Sequence, residues 1–343
     1  MNDKAKRILL LSVLGFALTG VVPAQEMGMH YLGDPKEYFL PADVCRDILQ
    51  DKTLDADEFL EKYYEPLRLL YPKYVSRDLI GADDSGKYVM WCYTFTPRRY
   101  RETVYLQAGV HGRNEYESYF AAAMMMRLIA EGRNSKDPHL RFLRKRVRFI
   151  VVPVVNVSDT YERTYPPFNS SNININRDWF DGRTREIRNI KALLSGYAKG
   201  DIQFAFDLHT DPEGLPGWGA YLLPYAEGMP ASISDKMLAV NNYLYDLNIK
   251  GKVTYDGEDL FKAFMGPNVN YPASSKEWRD HRNEDYRKGT SGKSCTNGIW
   301  TTFGIPCATL EHGSRKFGPD GSAYEMARAV ELYLNHIVAQ TEL

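Results

Sequence analysis

The run Thr103-Val-Tyr-Leu-Gln-Ala-Gly-Val-His-Gly-Arg-Asn-Glu115 sets the reading of the chain. Thr103–Val110 is a β-prone, apolar strand that breaks at His111, with Glu115 close behind at the start of a helix-forming stretch. Two other stretches end alike: Ile202–Leu208 stops at His209, and Ile305–Leu310 stops at Glu311. Two histidines and a carboxylate (His111, Glu115, His209) suit a catalytic zinc that keeps one position open for water. A further glutamate at a strand end, Glu311, suits a general base beside that water.

Working outward, Tyr88–Thr96, Val147–Val155 and Ala220–Leu223 read as further strands, Val147–Val155 apolar enough to be buried on both faces. Leu54–Leu70 reads as one amphipathic helix with Phe59, Leu60, Tyr63, Tyr64 and Leu67 on a single face. Glu115–Ala130, Ser232–Leu247 and Ala323–Ala339 are helices. Strands alternating with helices predict an α/β domain whose sheet is largely parallel or mixed. In such sheets ligands bind outside the carboxyl ends of strands, where the three candidate residues fall. Tyr255–Trp300 shows little periodicity and reads as a long loop covering part of the site.

Composition narrows the function classes. With 343 residues, 44% hydrophobic and 25% charged, the chain is an ordinary folded protein, and a net charge of −1 points to neither nucleic acid nor an anionic membrane surface. The basic clusters Arg98–Arg101 and Arg141–Arg148 read as solvated faces. Lys4, Lys6 and Arg7 precede an apolar Ile8–Val22, and Val22-Pro-Ala24 offers a cleavage site before Gln25. Residues 1–24 are therefore expected to be a signal peptide, 25–52 an N-terminal segment and 53–343 the domain. The apolar run is short for a bilayer span, so a secreted or periplasmic protein without stable membrane insertion is expected. Cys45, Cys92, Cys295 and Cys307 show no metal-site spacing, and buried free thiols suit them at least as well as a bridge.

Asn174-Ile-Asn-Arg-Asp-Trp179 groups polar side chains after a polar loop. Arg177 can fork onto a carboxylate with Asn176 adding a donor, or it can serve an internal salt bridge to Asp178 or Asp181.

Taken together these residues resemble the zinc carboxypeptidases of the funnelin, or carboxypeptidase A-like, class. The resemblance runs from about Leu54 to the C-terminus. Phe59-Leu-Glu-Lys62, Tyr71-Pro-Lys-Tyr-Val75 and Leu79-Ile-Gly-Ala-Asp-Asp-Ser-Gly-Lys87 are similar to the family's opening helix, Tyr-Pro turn and Ile-Gly segment. Thr103–Glu115 resembles its first ligand strand and Val152-Pro-Val-Val-Asn-Val157 its Pro-x-x-Asn region. Asn174–Trp179 looks like its Asn-Arg motif, and Gly304-Ile-Pro-Cys-Ala-Thr-Leu-Glu311 like the strand ending in its catalytic glutamate.

The resemblance implies a three-layer α/β/α domain with a mixed central sheet flanked by helices. It implies one Zn2+ per chain on His111, Glu115 and His209, with Glu311 moving a proton from water to the leaving amine. Asn176 and Arg177 would hold a peptide's terminal carboxylate, Arg163 would steady the oxyanion, and Tyr271 or Tyr286 would face the substrate. The stretch around Cys295–Ile299, with the neutral Thr296 and Asn297, would floor the side-chain pocket. The sequence departs from the pattern in three places. Glu115 stands four residues after His111 where the family has three, which a local bulge would absorb, with Glu117 as the alternative ligand. Asn174 replaces an Asp that orients a ligand histidine, and Asn156-Val-Ser-Asp159 lacks a Pro-Asp-Gly turn. Rival readings are a deacylase of the aspartoacylase or succinylglutamate desuccinylase kind, an amidase trimming cell-wall peptides, and a non-catalytic binding module that lost its metal. The short chain after Glu311 disfavours the deacylase, and Glu311 itself disfavours the module.

Overall fold

Capping chemistry sets the start of the first helix. In a computed structural model describing residues 51–136, 138–162, 168–210, 220–222, 226–233, 235–236, 254–255, 258–259, 292–312 and 334, Asp55 accepts the Glu58 N–H and Glu58 accepts the Asp55 N–H. This box opens α1 (Ala56–Tyr63). The single helix expected over Leu54–Leu70 is two: α2 (Glu65–Leu70) starts afresh because Pro66 lacks an N–H and its ring crowds the carbonyl four residues back. Phe59, Leu60, Tyr64 and Leu67 are buried as their spacing predicts. The leader, almost all of 25–52, Ala323–Ala339 apart from Leu334, and most of Ser232–Leu247 lie outside the described residues.

The strands are β1 (Val75–Ala82), β2 (Val89–Phe95), β3 (Glu102–Ala108), β4 (Val147–Val152), β5 (Phe204–Thr210), β6 (Ala220–Leu222), β7 (Thr254–Tyr255), β8 (Glu258–Asp259) and β9 (Cys307–His312). Seven form one sheet in the order β1-β2-β4-β3-β5-β9-β6, while β7 and β8 pair with each other. The central β4, β3, β5 and β9 run parallel, and β1, β2 and β6 join antiparallel at the sides. This is the mixed sheet that the alternation predicts.

Helices cover both faces. Side chains alternate along a strand, and in β5 Thr210 points to α3 (Tyr116–Glu131), its hydroxyl donating to Glu117 at 3.4 Å. The opposite face belongs to α7 (Cys295–Phe303): Gln107 Nε2 reaches Cys295 Sγ at 3.3 Å, and the Thr296 and Thr309 hydroxyls meet at 2.6 Å. Three further α-helices are α4 (Pro138–Arg146), α5 (Val157–Glu162) and α6 (Arg185–Ser195).

Some expectations change. β5 and β9 run further than expected, so His209 and Glu311 lie inside strands and are register partners. The long irregular segment ends earlier, at α7, which begins at Cys295. Its Thr, Asn and Gly residues are poor helix formers, so packing makes this helix. Gly298 sits directly on Trp179, where an added Cβ would lie 2.5 Å from the Trp179 Cβ. Arg98, Arg99 and Arg101 are exposed as expected, whereas the cluster Arg141–Arg148 is not simply solvated. Arg144 lies 3.3 Å from the Tyr74 ring centroid and donates to the Ala130 carbonyl at 2.9 Å, and Arg148 lies over the Tyr100 and Tyr197 rings. Cys92, Cys295 and Cys307 are free and buried, and Cys45 is outside the described residues. No helix among the described residues is long and apolar enough to cross a membrane.

Glu186, in the first turn of α6, is fully buried, with the Asn169 amide donating to its side chain at 3.1 and 3.3 Å and the backbone N–H groups of Glu186 and Asp84 assisting. Burial outweighs these hydrogen bonds and pushes its carboxyl from 4.5 up to about 7. Between those values the folded chain keeps a proton that the unfolded chain releases. Stability from this group is therefore full below about pH 4.5 and lost as pH rises through about 7. Glu186→Gln should flatten this decline, gaining on the order of 2–3 kcal/mol relative to wild type at pH 8. Denaturant titrations at pH 5 and pH 8 would measure it, and parallel curves for the two proteins would refute it.

Candidate metal centre

The chain leaves β3 through Gly109 and Gly112, at φ 62° and 57°, values that side chains rarely adopt. His111 stands between them and heads a 3₁₀ helix, Gly112–Glu115, which runs into α3. His111 itself is not helical (φ −105°, ψ 23°), and across the turn that follows it the four-residue spacing still brings Glu115 Oε1 to His111 Nε2. One donor atom from each of His111, Glu115 and His209 lies within 4.8 Å of the others. Glu115 Oε1 is 3.3 Å from His209 Nδ1 and 4.0 Å from His111 Nε2. Glu115 Oε2 is buried with no hydrogen-bond partner among the described residues. A buried carboxylate oxygen left so is costly unless a cation completes it, and the two nitrogens and one oxygen are donors that zinc takes. The residues fit the ion. Glu117, the alternative ligand, points to the other face of β5, toward Thr210.

A second carboxylate holds His209 from behind. Asp207 Oδ2 is 2.7 Å from His209 Nε2, leaving Nδ1 on the Glu115 side. Gln107 Nε2 donates to Asp207 Oδ1 at 2.9 Å, and the Tyr105 hydroxyl donates to Gln107 Oε1 at 2.8 Å. Burial raises the Asp207 pKa, but the adjacent His209 and the Gln107 hydrogen bond more than offset it, holding the carboxyl below its ordinary value. Burial likewise opposes a charge on His209, yet Asp207 and Glu115 keep its pKa well above the usual histidine value. A metal ion at Nδ1 therefore competes with a proton. Asp207 was not among the sequence candidates, although its two-residue spacing from His209 on a strand is a readable sign of a shared face. Asn174 does not take this orienting role; its side chain caps the turn Ile175–Arg177 by accepting the Asn176 N–H at 3.0 Å.

That turn carries the other candidate group. Asn176 is buried, with Oδ1 accepting the Cys295 N–H at 3.0 Å and Nδ2 3.5 Å from His209 Nε2. Arg177 is exposed, and no carboxylate among the described residues pairs with it. The expected rival salt bridge goes elsewhere. Asp178 accepts from the Thr184 backbone and hydroxyl and pairs with Arg183, and Asp181 lies 3.8 Å from both Arg183 and Lys293. Thr296 turns to Thr309, and Asn297 donates to the Gly292 carbonyl at 2.7 Å. Glu311 is placed by its backbone, as register partner of His209 and Tyr221. Arg163, Tyr271 and Tyr286 lie outside the described residues.

No family model and no curated protein matches the sequence, but solved structures match its fold. A metallo-carboxypeptidase from Burkholderia cenocepacia is similar over 82% of this chain and 69% of its own, with a TM-score of 0.56 and 17% identity. Bovine thrombin-activatable fibrinolysis inhibitor, in complex with tick carboxypeptidase inhibitor, covers 84% and 98%, with a TM-score of 0.55 and 14% identity. A Pseudomonas aeruginosa metallo-carboxypeptidase, in complex with (2-guanidinoethylmercapto)succinic acid, covers 81% and 68%, with a TM-score of 0.53 and 13% identity. The chain has the metallo-carboxypeptidase fold.

Removing the charge behind His209 tests the geometry. Asp207→Asn should weaken zinc binding about 10–100-fold while the protein stays folded. Competition against a chromophoric chelator reads this directly, and an unchanged affinity would show that Asp207 does not support the ligand.

Proposed function

We propose that this chain is an exported zinc metallocarboxypeptidase that hydrolyses the amide bond next to the free C-terminal carboxylate of a peptide or peptide-like substrate. The observation that carries the reading is the convergence of the His111, Glu115 and His209 donors, with a buried Glu115 oxygen that has no hydrogen-bond partner among the described residues; Arg177, next to Asn176, pairs with no carboxylate among the described residues. The fold supports it, as do the inhibitor and the succinic acid derivative named for two structural relatives. Zinc bound by His111, Glu115 and His209 supplies Lewis acidity toward a scissile carbonyl and acidifies water at neutral pH.

The chain's own residues do the rest. Arg177 binds the terminal carboxylate of the substrate through its forked donors. Asn176, whose oxygen accepts from the Cys295 N–H, keeps its amide nitrogen, 3.5 Å from His209 Nε2, as the donor it offers. These contacts fix which bond is presented. Glu311, beside His209 in register, takes the proton of the attacking water and returns it to the leaving amine. Arg163 offers a charge to the developing oxyanion. The Lys4-Lys6-Arg7 and Ile8–Val22 pattern supports export.

Metal content and C-terminal release from a peptide panel test the reading. Wild type should hold one zinc per chain. Glu311→Gln should keep it and lose about 10²–10⁴-fold in kcat, whereas Glu115→Ala should lose the metal and Glu117→Ala should not. Arg177→Ala should keep its zinc and lose roughly 10–100-fold in kcat/KM, as for a charge-assisted hydrogen bond. A folded wild type that takes up no zinc would favour the non-catalytic module instead.

A further inference from the structure

Arg113 belongs to the stretch that makes the His111–Glu115 spacing irregular, and its side chain is engaged through Nη2, while its Nε is buried with no hydrogen-bond partner among the described residues. Its Nη2 donates to the carbonyls of Thr53 at 2.7 Å, Leu54 at 3.3 Å and Thr160 at 2.6 Å. Its backbone N–H donates to Asp159 Oδ2 at 2.7 Å. Asp159 also abuts the preceding residue: a Cβ on Gly112 would lie 2.5 Å from the Asp159 Cβ. One residue thus bolts the 3₁₀ turn to two separate parts of the chain, the segment leading into α1 and the helix α5. One of these anchors, α5, lies where the sequence departs from the carboxypeptidase pattern, since it stands in place of the missing Pro-Asp-Gly turn after Asn156. The added residue and the rebuilt loop are two halves of one device. At the far end of the turn, the Ser118 hydroxyl accepts the Gly109 N–H at 3.0 Å and donates to the Glu115 carbonyl at 2.7 Å.

We propose that Arg113, seated on the Thr53, Leu54 and Thr160 carbonyls and on Asp159, is a positioning residue that holds Glu115 in reach of the ion shared with His111 and His209. The inference rests on the zinc reading above and concerns how this chain keeps that site despite its extra residue. Without the bracket, the 3₁₀ turn loses its ties to α5 and to the segment leading into α1, and Glu115 loses its fixed distance from His209.

Purified full-length protein, stripped and reloaded, tests this without any activity assay. Zinc affinity by chelator competition and the visible absorption of the cobalt-loaded protein are compared for wild type, Arg113→Ala, Arg113→Lys and Glu115→Ala, with folding checked by circular dichroism. Arg113→Ala should bind zinc about 10–100-fold more weakly, and its cobalt spectrum should move toward that of Glu115→Ala. Arg113→Lys, a point charge without the planar fork, should fall between. Millimolar guanidinium should restore affinity to Arg113→Ala and not to Glu115→Ala. Zinc affinity and a cobalt spectrum equal to wild type in a folded Arg113→Ala would overturn the proposal while leaving the zinc reading intact. Absence of metal from wild type would overturn both. Should Arg113→Ala not fold, Arg113→Lys decides alone, since wild-type affinity there would equally overturn the proposal.

Discussion

A carboxylate and an imidazole are buried side by side within a parallel strand, and the rest of the structure is arranged around making that tolerable. Taking Asp207 and His209 out of water is expensive unless each finds a charged or hydrogen-bonded partner. The partners come from one row: Tyr105 to Gln107, Gln107 to Asp207, Asp207 to His209, and His209 to Glu115. These contacts exist in one register only, because a one-residue slip of β5 would turn Asp207 and His209 toward α3 and expose an apolar ladder to the polar row. The polar row therefore specifies the strand alignment as much as the apolar core stabilises it.

From that alignment the site assembles with little further instruction. Parallel strands deliver their carboxyl ends to one edge, where β3 hands on to the His111 turn and β5 and β9 set His209 beside Glu311. The two glutamates near the start of α3 separate by face. Glu115, before the helix, belongs to the donor cluster, and Glu117, within it, serves Thr210 on the opposite layer. A spacing that looks irregular on paper still brings Glu115 to His111 in space.

How much of this could be read from the sequence follows from which residues speak locally. The central strands were legible because apolar β-branched runs have few other uses, and α1 announces itself through Asp55 and Glu58. The helix break at Tyr64 was legible too, had Pro66 been given its weight. Helix α7 was not, since Cys295–Phe303 has no helical preference and depends on Trp179, more than a hundred residues away. The donor set His111, Glu115 and His209 was legible as chemistry, but Asp207 was hidden inside an apolar stretch, where its period-two relation to His209 was the sole clue. Arg113 and Asp159 carried no local signal, because their meaning lies in carbonyls supplied by distant backbone.

The contact between Gly298 and Trp179 has a mechanical consequence. With no Cβ between them, the helix backbone rests on the indole, and the Cys295 N–H is tied to Asn176 a short way along the same turn. The turn bearing Asn176 and Arg177 and the helix behind it thus share two attachment points. A displacement of that helix would therefore pull on the turn that bears Arg177.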